Sequence, residues 1–378
     1  GVPIAGRIPF DRKYAESYSS GTILTHIYPD FREKLLHIFS AVSSLAGSVP
    51  PDVPPDELLP LSAENLEPFP RGESSEFKEI AVISGKGGSG KTTVIASLAA
   101  LSENRVLADN DVDAADLHLL LKPVIREVHD FVGGLKMAID PDQCTACGQC
   151  AEHCRFGAIY PDGPTNQQGV TAFRIDELSC EGCGVCEYLC PVDAITNRPN
   201  TVGRWYVSGT DCGPMVHARL GIAEENSGRL VTRVRNVAAE LAENLGKELI
   251  LGDGPPGTGC PVIASVSGVN IVLIVTEPTV SGVHDMQRVL ELAGHFGIPS
   301  LIVVNKSDLN AEQTVRIKAI AAEMGARVIG EIPFDRSVND ALMAGKTVIE
   351  YGRGSAGEAI REVWKSLQET LAGIRSSG

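Results

Sequence analysis

Gly85 to Thr93, "GKGGSGKTT", is the stretch that decides how this chain folds. It follows the apolar run "EIAVIS" (79–84) and opens the helical run "VIASLAALSEN" (94–104). The stretch satisfies G-x-x-x-x-G-K-[ST] between a strand and a helix, the setting that a phosphate-binding loop requires. Gly87, Gly88 and Gly90 let backbone N–H groups close around phosphates, and the helix N-terminus favours the anion. Lys91 is expected to reach the β- and γ-phosphates, and the Thr92 hydroxyl to coordinate Mg²⁺. Gly85, Ser89 and Thr93 complete the expected nucleotide-binding loop. A glycine-rich turn with no ligand is the competing reading, and the strand–loop–helix context argues against it.

Downstream the same rhythm repeats. "RVLAD", "ELILGD", "VNIVLIVTE", "SLIVVN" and "RVIGEIPF" are short apolar runs bounded by turn residues and separated by helical patterns. Such alternation predicts a parallel sheet covered on both faces. The C-terminal run "GEAIREVWKSLQETLAGI" carries one apolar stripe, Ile360, Val363, Trp364, Leu367 and Leu371, with mixed charges around it. It reads as a helix packed on that sheet rather than as a membrane helix. The 378 residues carry a net charge of −15, which argues against a sequence-independent grip on nucleic acid. No apolar run is long enough to span a bilayer, and no signal peptide opens the chain. The first residue is Gly1, so a missing natural N-terminus is expected.

Between about 136 and 196 a cysteine-rich block interrupts the rhythm. Cys144, Cys147, Cys150 and Cys154 stand at C-x₂-C-x₂-C-x₃-C, and Cys180, Cys183, Cys186 and Cys190 repeat the spacing, with Pro191 after the last. Closely spaced cysteines without a signal peptide point to a reduced, cytoplasmic setting rather than to disulfides. The two runs are similar to the two-cluster bacterial ferredoxins, in which the fourth cysteine of each run ligates the other cluster. That resemblance assigns Cys144, Cys147, Cys150 and Cys190 to one [4Fe–4S] cluster, and Cys180, Cys183, Cys186 and Cys154 to a second. Arg155 departs from the pattern, standing where proline is usual. "RFGAIY" and "PVDAIT" are expected as matching strands. Zinc is the alternative, although zinc sites seldom compress four thiolates into eleven residues.

The second lysine of the loop, Lys86, makes it resemble the MinD/ParA and nitrogenase iron protein class of ATPases. That resemblance implies a nucleotide-sandwiched dimer in which Lys86 acts across the two-fold on the partner's nucleotide, as an arginine finger does. A solvated Lys86 is the alternative. In "LADNDVDAADLHLLL" the resemblance gives Asp111 the task of orienting or deprotonating the attacking water, whereas a cluster of acids can also be a surface turn. "ELILGDGPPGTG" ends a strand on Asp253, expected to hold Mg²⁺ indirectly from behind its direct ligands, before a switch loop at Gly254 and Gly257. Asn305, Pro333 and Asp335 are expected near the base. "NKSD" (305–308) also satisfies the guanine-reading N-K-x-D, with Asp308 on the base, so GTP competes with the favoured ATP.

Residues 80 to 371 are similar to MinD-superfamily ATPases that carry an inserted ferredoxin domain, and "TEPTVSGVHD" and "GPMVHARLGIAEENSGRLV" add to the match. The fold expected is a mostly parallel, doubly wound α/β P-loop sheet over 80–135 and 197–378, with a small α+β two-cluster domain at 136–196. The function implied is ATP hydrolysis coupled through a dimer switch to electron transfer through two [4Fe–4S] clusters. Its partners would be a second ATPase half and a redox protein. An ATP-dependent cluster carrier serving an apo iron–sulfur protein is the rival, and a positioning ATPase a third reading. Cys212 and Cys260 are expected as small buried hydrophobes. Cys260 also stands seven residues after Asp253, where the iron protein class binds an intersubunit cluster.

One repeat remains. "IPFDR" occurs at 8–12 and again at 332–336, and at that offset Gly6, Pro9 and Gly21 fall on Gly330, Pro333 and Gly345. The second copy ends the last strand of the ATPase. Residues 1–42 therefore read as the last strand and helix of a preceding related ATPase. The linker at 43–79, with seven prolines, would join two halves of a tandem fusion. Chance similarity of two short segments is the alternative.

Overall fold

The computed structural model describes residues 13, 28–45, 77–177, 179–221 and 227–373. The first "IPFDR" and most of the proline-rich stretch lie outside them. Helix α1 (Pro29–Leu45) is the helix expected from Phe31, Leu35, Leu36, Ile38 and Phe39, and it continues through Ser43, where the linker was expected to begin.

Among the described residues nine strands form one sheet. Its order is β11 (Arg327–Ile332), β10 (Ser300–Asn305), β9 (Ile271–Thr276), β1 (Lys78–Ser84), β8 (Leu249–Pro256), β2 (Arg105–Asp109), β7 (Gly213–Leu220), β6 (Ile195–Thr210) and β3 (Val124–Ile139). Neighbours from β11 to β7 run parallel; β7, β6 and β3 form an antiparallel meander. The apolar strands are buried on both faces because helices cover both. Ile80 and Val82 of β1 face α2 (Lys91–Leu101) and α12 (Ser355–Gly373). Ala81 and Ile83 face α8 (Val280–His295) and α9 (Ala311–Glu323). Val106, Ala108 and Ile250 pack on α6 (Ser227–Leu245). The expected stripe of α12 is buried at Ile360, Val363 and Leu367, with Trp364 and Leu371 at its margin. Among the described residues no helix is long and apolar enough to cross a membrane.

Strands β3 and β6 are each 16 residues long and pair from Val124–Gly209 to Ile139–Ile195. Only the Gly203–Thr210 part of β6 lies against β7. Beyond it the pair leaves the sheet as a two-stranded ribbon, roughly 25 Å long at ~3.4 Å per residue. Residues 140–194 form the tip, so positions 136 and 196, expected as boundaries, fall within the ribbon.

The tip repeats itself at an offset of 36 residues (180 − 144). Short helices α4 (Gln149–Glu152) and α5 (Val185–Tyr188) start from Gly148 and Gly184, at φ 79° and 76°. Ala146 and Gly182 match at 55° and 60°, and Gly157 and Asp193 at 61° and 50°. The Ala158 N–H donates to Cys154 Sγ at 3.4 Å, and Ala194 N–H to Cys190 Sγ at 3.2 Å. Of the two strands expected after the cysteine runs, Ile159–Tyr160 forms β4, paired with β5 (Arg174–Ile175), and Ile195 begins β6.

Candidate functional site

Parallel pairing sets Asp109 beside Asp253, so the C-terminal ends of β1, β8 and β2 meet at one rim. The Gly85–Thr93 loop crosses that rim, where ligands of open α/β sheets bind. Gly90 precedes α2 at φ 88°, and a Cβ there would lie 2.3 Å from Asn305 Nδ2. Glycine is required twice over, by conformation and by space.

Lys91 is buried and ion-paired to Asp253, with Asp111 at 3.8 Å. The Thr92 hydroxyl donates to Asp253 Oδ2 at 3.1 Å. Asp109 and Asp253 are almost wholly buried and Asp111 nearly so, which excludes a surface turn; Asp113 is exposed. Burial, then the charge of Asp253, raises Asp109 well above the ordinary carboxylate range against the pull of Lys91. Burial also raises Asp253, opposed by Lys91 and Thr92. Asp111 is pushed up to about 6 by burial, opposed by Lys91 and assisted by Asp253. One ammonium thus serves three carboxyl groups.

A stability consequence follows for Asp109. A carboxyl raised in the folded state holds a proton that unfolding releases. Its contribution is present below the unfolded value near 4 and is lost as pH rises through the folded value. Asp109→Asn removes that loss. In thermal denaturation without nucleotide, the variant should gain on the wild type between pH 5.5 and 7.5, by up to ~1.4 kcal/mol per pH unit. A constant gap would show that Asp109 is already ionised in the folded chain across this range.

Lys86 folds back onto its own chain. Its Nζ lies 2.7 Å from Glu277 Oε1 and donates to Ser281 Oγ at 3.0 Å and Thr279 Oγ1 at 3.3 Å. Glu277 Oε2 also holds Lys306 at 3.0 Å, and Lys306 Nζ donates to the Gly88 carbonyl at 3.3 Å. Burial works to raise Glu277, but Lys306 and Lys86 carry it below the ordinary glutamate value. Sequence reasoning missed Glu277; its signal is an acid closing the all-apolar run "IVLIVTE".

The residues expected at the base are engaged within the chain. Asn305 Nδ2 donates to the Ser89 carbonyl at 2.8 Å and so braces the loop. Asp308 Oδ1 accepts from Phe334 N, next to Pro333. Asp335 accepts from Ser337 N at 2.8 Å, capping α10 (Arg336–Met343), and from Ala356 N at 3.0 Å. Burial works against its ionisation, yet these donors hold it below the usual carboxylate range.

At the ribbon tip Cys144, Cys147, Cys150 and Cys190 line one cavity, with Ile139, Phe173 and Ile195. Burial pushes the Cys186 thiol up to about 11, and Cys180 and Cys183 beside it push the same way. Among the described residues no three His, Cys, Asp or Glu side chains converge as on a single metal ion. Cys212 is buried as expected. Cys260 is exposed, against expectation, because it is the first residue of α7 (Cys260–Val266), directly after the loop that follows Asp253.

Residues 80–348 match the CobQ/CobB/MinD/ParA nucleotide binding domain. An uncharacterised protein of Methanocaldococcus jannaschii is 33% identical over 304 residues, 78% of this chain and 97% of its own length. The iron–sulfur cluster carrier protein of Pyrococcus furiosus is 24% identical over 167 residues, 40% of this chain and 55% of its own. The crystal structure of the cell division ATPase MinD of Pyrococcus furiosus aligns with a TM-score of 0.44 at 18% identity, over 78% of this chain and 99% of that one.

Proposed function

This chain belongs to the CobQ/CobB/MinD/ParA nucleotide binding domain family, and from that premise we propose an ATP-hydrolysing iron–sulfur protein whose nucleotide switch is coupled to electron transfer. The mostly parallel sheet with its phosphate loop supplies the nucleotide half. Within that loop Ser89 Oγ, and beside it Asp109 Oδ2, are buried without a hydrogen-bond partner, which suits a rim built to take a polar ligand. Thr92 and Asp253 would hold Mg²⁺, already being side by side. The bound ion supplies charge neutralisation on the phosphates. Lys91 exchanges its carboxylates for phosphate oxygens. Asp111, near 6, is matched to taking a proton from the attacking water close to neutral pH. Lys86 reaches the nucleotide of a second copy or fused half.

The cavity of the first run suits a cluster, and the repeated loop conformation supports extending the reading to a second. Four cysteines from both runs, Cys144, Cys147, Cys150 and Cys190, surround one cavity. Cys144, Cys147, Cys150 and Cys190 would hold one [4Fe–4S] group, and Cys180, Cys183, Cys186 and Cys154 the other. When bound, such groups supply one-electron chemistry.

The ribbon carries the coupling, and it is the observation on which the proposal rests. Its inner end is the edge of the nucleotide-binding sheet, and its outer end holds the cysteine loops. Arg229, at the start of α6, donates to the Gly133 carbonyl of the ribbon at 3.3 Å. The neighbouring Gly228 lies against Cys260, on the helix that follows the switch loop. Two residues along the ribbon, Leu135 O sits where a Cβ on Gly182 would be, 2.1 Å away, so the second cysteine loop rests directly on the ribbon backbone. Movement at Asp253 therefore has a packed route to Cys180–Cys186.

Reductive titration of anaerobically prepared protein tests this. ATP with Mg²⁺ should shift a cluster potential by about 60 mV or more, tenfold in a one-electron equilibrium. Arg229→Ala should diminish the shift while nucleotide still binds. Identical potentials with and without nucleotide would refute the coupling. Likeness to a cluster carrier supports the rival reading, which requires ATP-dependent transfer of iron–sulfur clusters to an apo-protein.

A further inference from the structure

We propose that the side chain of Asn110 is a seat for the switch loop, taken by the backbone of residues 254–259 when ATP and Mg²⁺ bind. This rests on nucleotide binding at the phosphate loop and not on the iron–sulfur clusters.

Asn110 is 1% exposed, and neither its Oδ1 nor its Nδ2 has a hydrogen-bond partner among the described residues. Buried polar groups are nearly always paired, because leaving one unpaired is costly. A second conformation that supplies a partner removes that cost, so the orphaned amide favours it. The position of the amide identifies the partner. Asn110 follows the Asp109–Asp253 pair, and its N–H donates to the Asp253 carbonyl at 2.9 Å. Pro255 has no N–H with which to carry the ladder further. The amide lies against β8 itself, since a Cβ on Gly252 would stand 2.9 Å from Nδ2. It is thus beside the strand that leads into the switch loop.

The loop itself is seated on the opposite neighbour of β8. Pro256 pairs with Ser84 of β1 after a register shift, and Gly257 N donates to the Ser84 carbonyl at 3.0 Å. Arg288 of α8 donates to the Thr258 hydroxyl at 3.0 Å. Switch loops move with contacts to the γ-phosphate and its Mg²⁺. This one follows Asp253 and is held by Ser84, the residue before the phosphate loop, so both of its attachments adjoin the nucleotide. Gly257, at φ 94°, lets the backbone change course there. A side-chain amide offers an N–H and a carbonyl, the two groups that a neighbouring strand would offer. Asn110 therefore receives the backbone released from β1. Standing between Asp109 and Asp111, it ties the place of the loop to that of the rim carboxylates. It is a positioning residue, touching the loop and not the nucleotide.

The test compares ATPγS with ADP, each with Mg²⁺, by isothermal titration calorimetry on wild type and Asn110→Leu. Leucine keeps the volume and removes both polar atoms. ATPγS should bind the variant about tenfold more weakly, the effect of losing one or two hydrogen bonds, and ADP should stay within about twofold of wild type. Without nucleotide the variant should melt no lower than wild type, because no hydrogen bond is broken. Should Asn110→Leu fail to fold, Asn110→Ala carries the same comparison. A ratio of ATPγS to ADP affinity equal to that of wild type overturns the seat. Equal weakening of both nucleotides leaves that ratio unchanged and overturns it too, as a general loosening of the rim. If wild type binds neither nucleotide, the reading of the phosphate loop falls, and the seat with it.

Discussion

Lys91→Ala is expected to abolish ATP hydrolysis, by a factor of about 10³ or more, and to destabilise the nucleotide-free protein at the same time. The first effect is the loss of the cation placed on the phosphates. The second comes from the rim. Lys91 is the ammonium bonded to Asp253, which is 1% exposed, and it lies 3.8 Å from Asp111. Its removal leaves Asp253 with the Thr92 hydroxyl as its remaining side-chain donor and no positive partner. Removing one member of a buried pair typically costs 3–5 kcal/mol, roughly, because the other charge is stranded. Part of that cost is recovered by protonation, since Asp253 is already raised by burial. The deficit should therefore shrink as pH falls toward 5. Urea denaturation of both chains at pH 5 and pH 7.5, beside a coupled ATPase assay, reads both effects. A variant with wild-type stability at pH 7.5 would mean that Lys91 does not hold these carboxylates in the empty state.

What could be read ahead of the structure was whatever is local. "GKGGSGKTT" fixes strand, loop and helix within a dozen residues, and its conformation follows from Gly88 and Gly90, which hold φ at 83° and 88°. The buried strands announce themselves as unbroken apolar runs because both their faces are covered. The Lys86–Glu277 contact was not legible, since it joins residues 191 apart (277 − 86) that meet only when β9 lies beside β1. The ribbon was not legible for a different reason. "VIREVHDFVGGLKMAI" leaves the sheet halfway along, so its sides are wetted unevenly and it shows neither clean alternation nor a continuous apolar run. Asp335, expected near the base, also opens a helix at "FDRSV": its carboxylate caps α10 and accepts from Ala356 N, a contact 21 residues along the chain.

Cys190→Ala is expected to remove the cluster of the first cysteine run while leaving that of its own run. Iron content should fall from about eight to about four per chain. The spacing alone allows each run of four to close on itself. The fold argues otherwise: the cavity that holds Cys144, Cys147 and Cys150 is completed by Cys190, with Pro191 and Val192 beside it. Cys154 occupies the matching position 36 residues earlier (190 − 154), and its Sγ accepts from Ala158 as Cys190 Sγ accepts from Ala194. Double substitutions make the assignment decisive. Cys190→Ala with Cys147→Ala should lose no more iron than either alone, because both ligate one group. Cys190→Ala with Cys183→Ala should lose nearly all of it. If the second pair instead retains half the iron, Cys190 and Cys183 share a cluster and each run is self-contained. In that arrangement Cys190 would no longer join the first run's group to the residues that lead into β6. Movement passed along the ribbon would then reach the two clusters by separate routes.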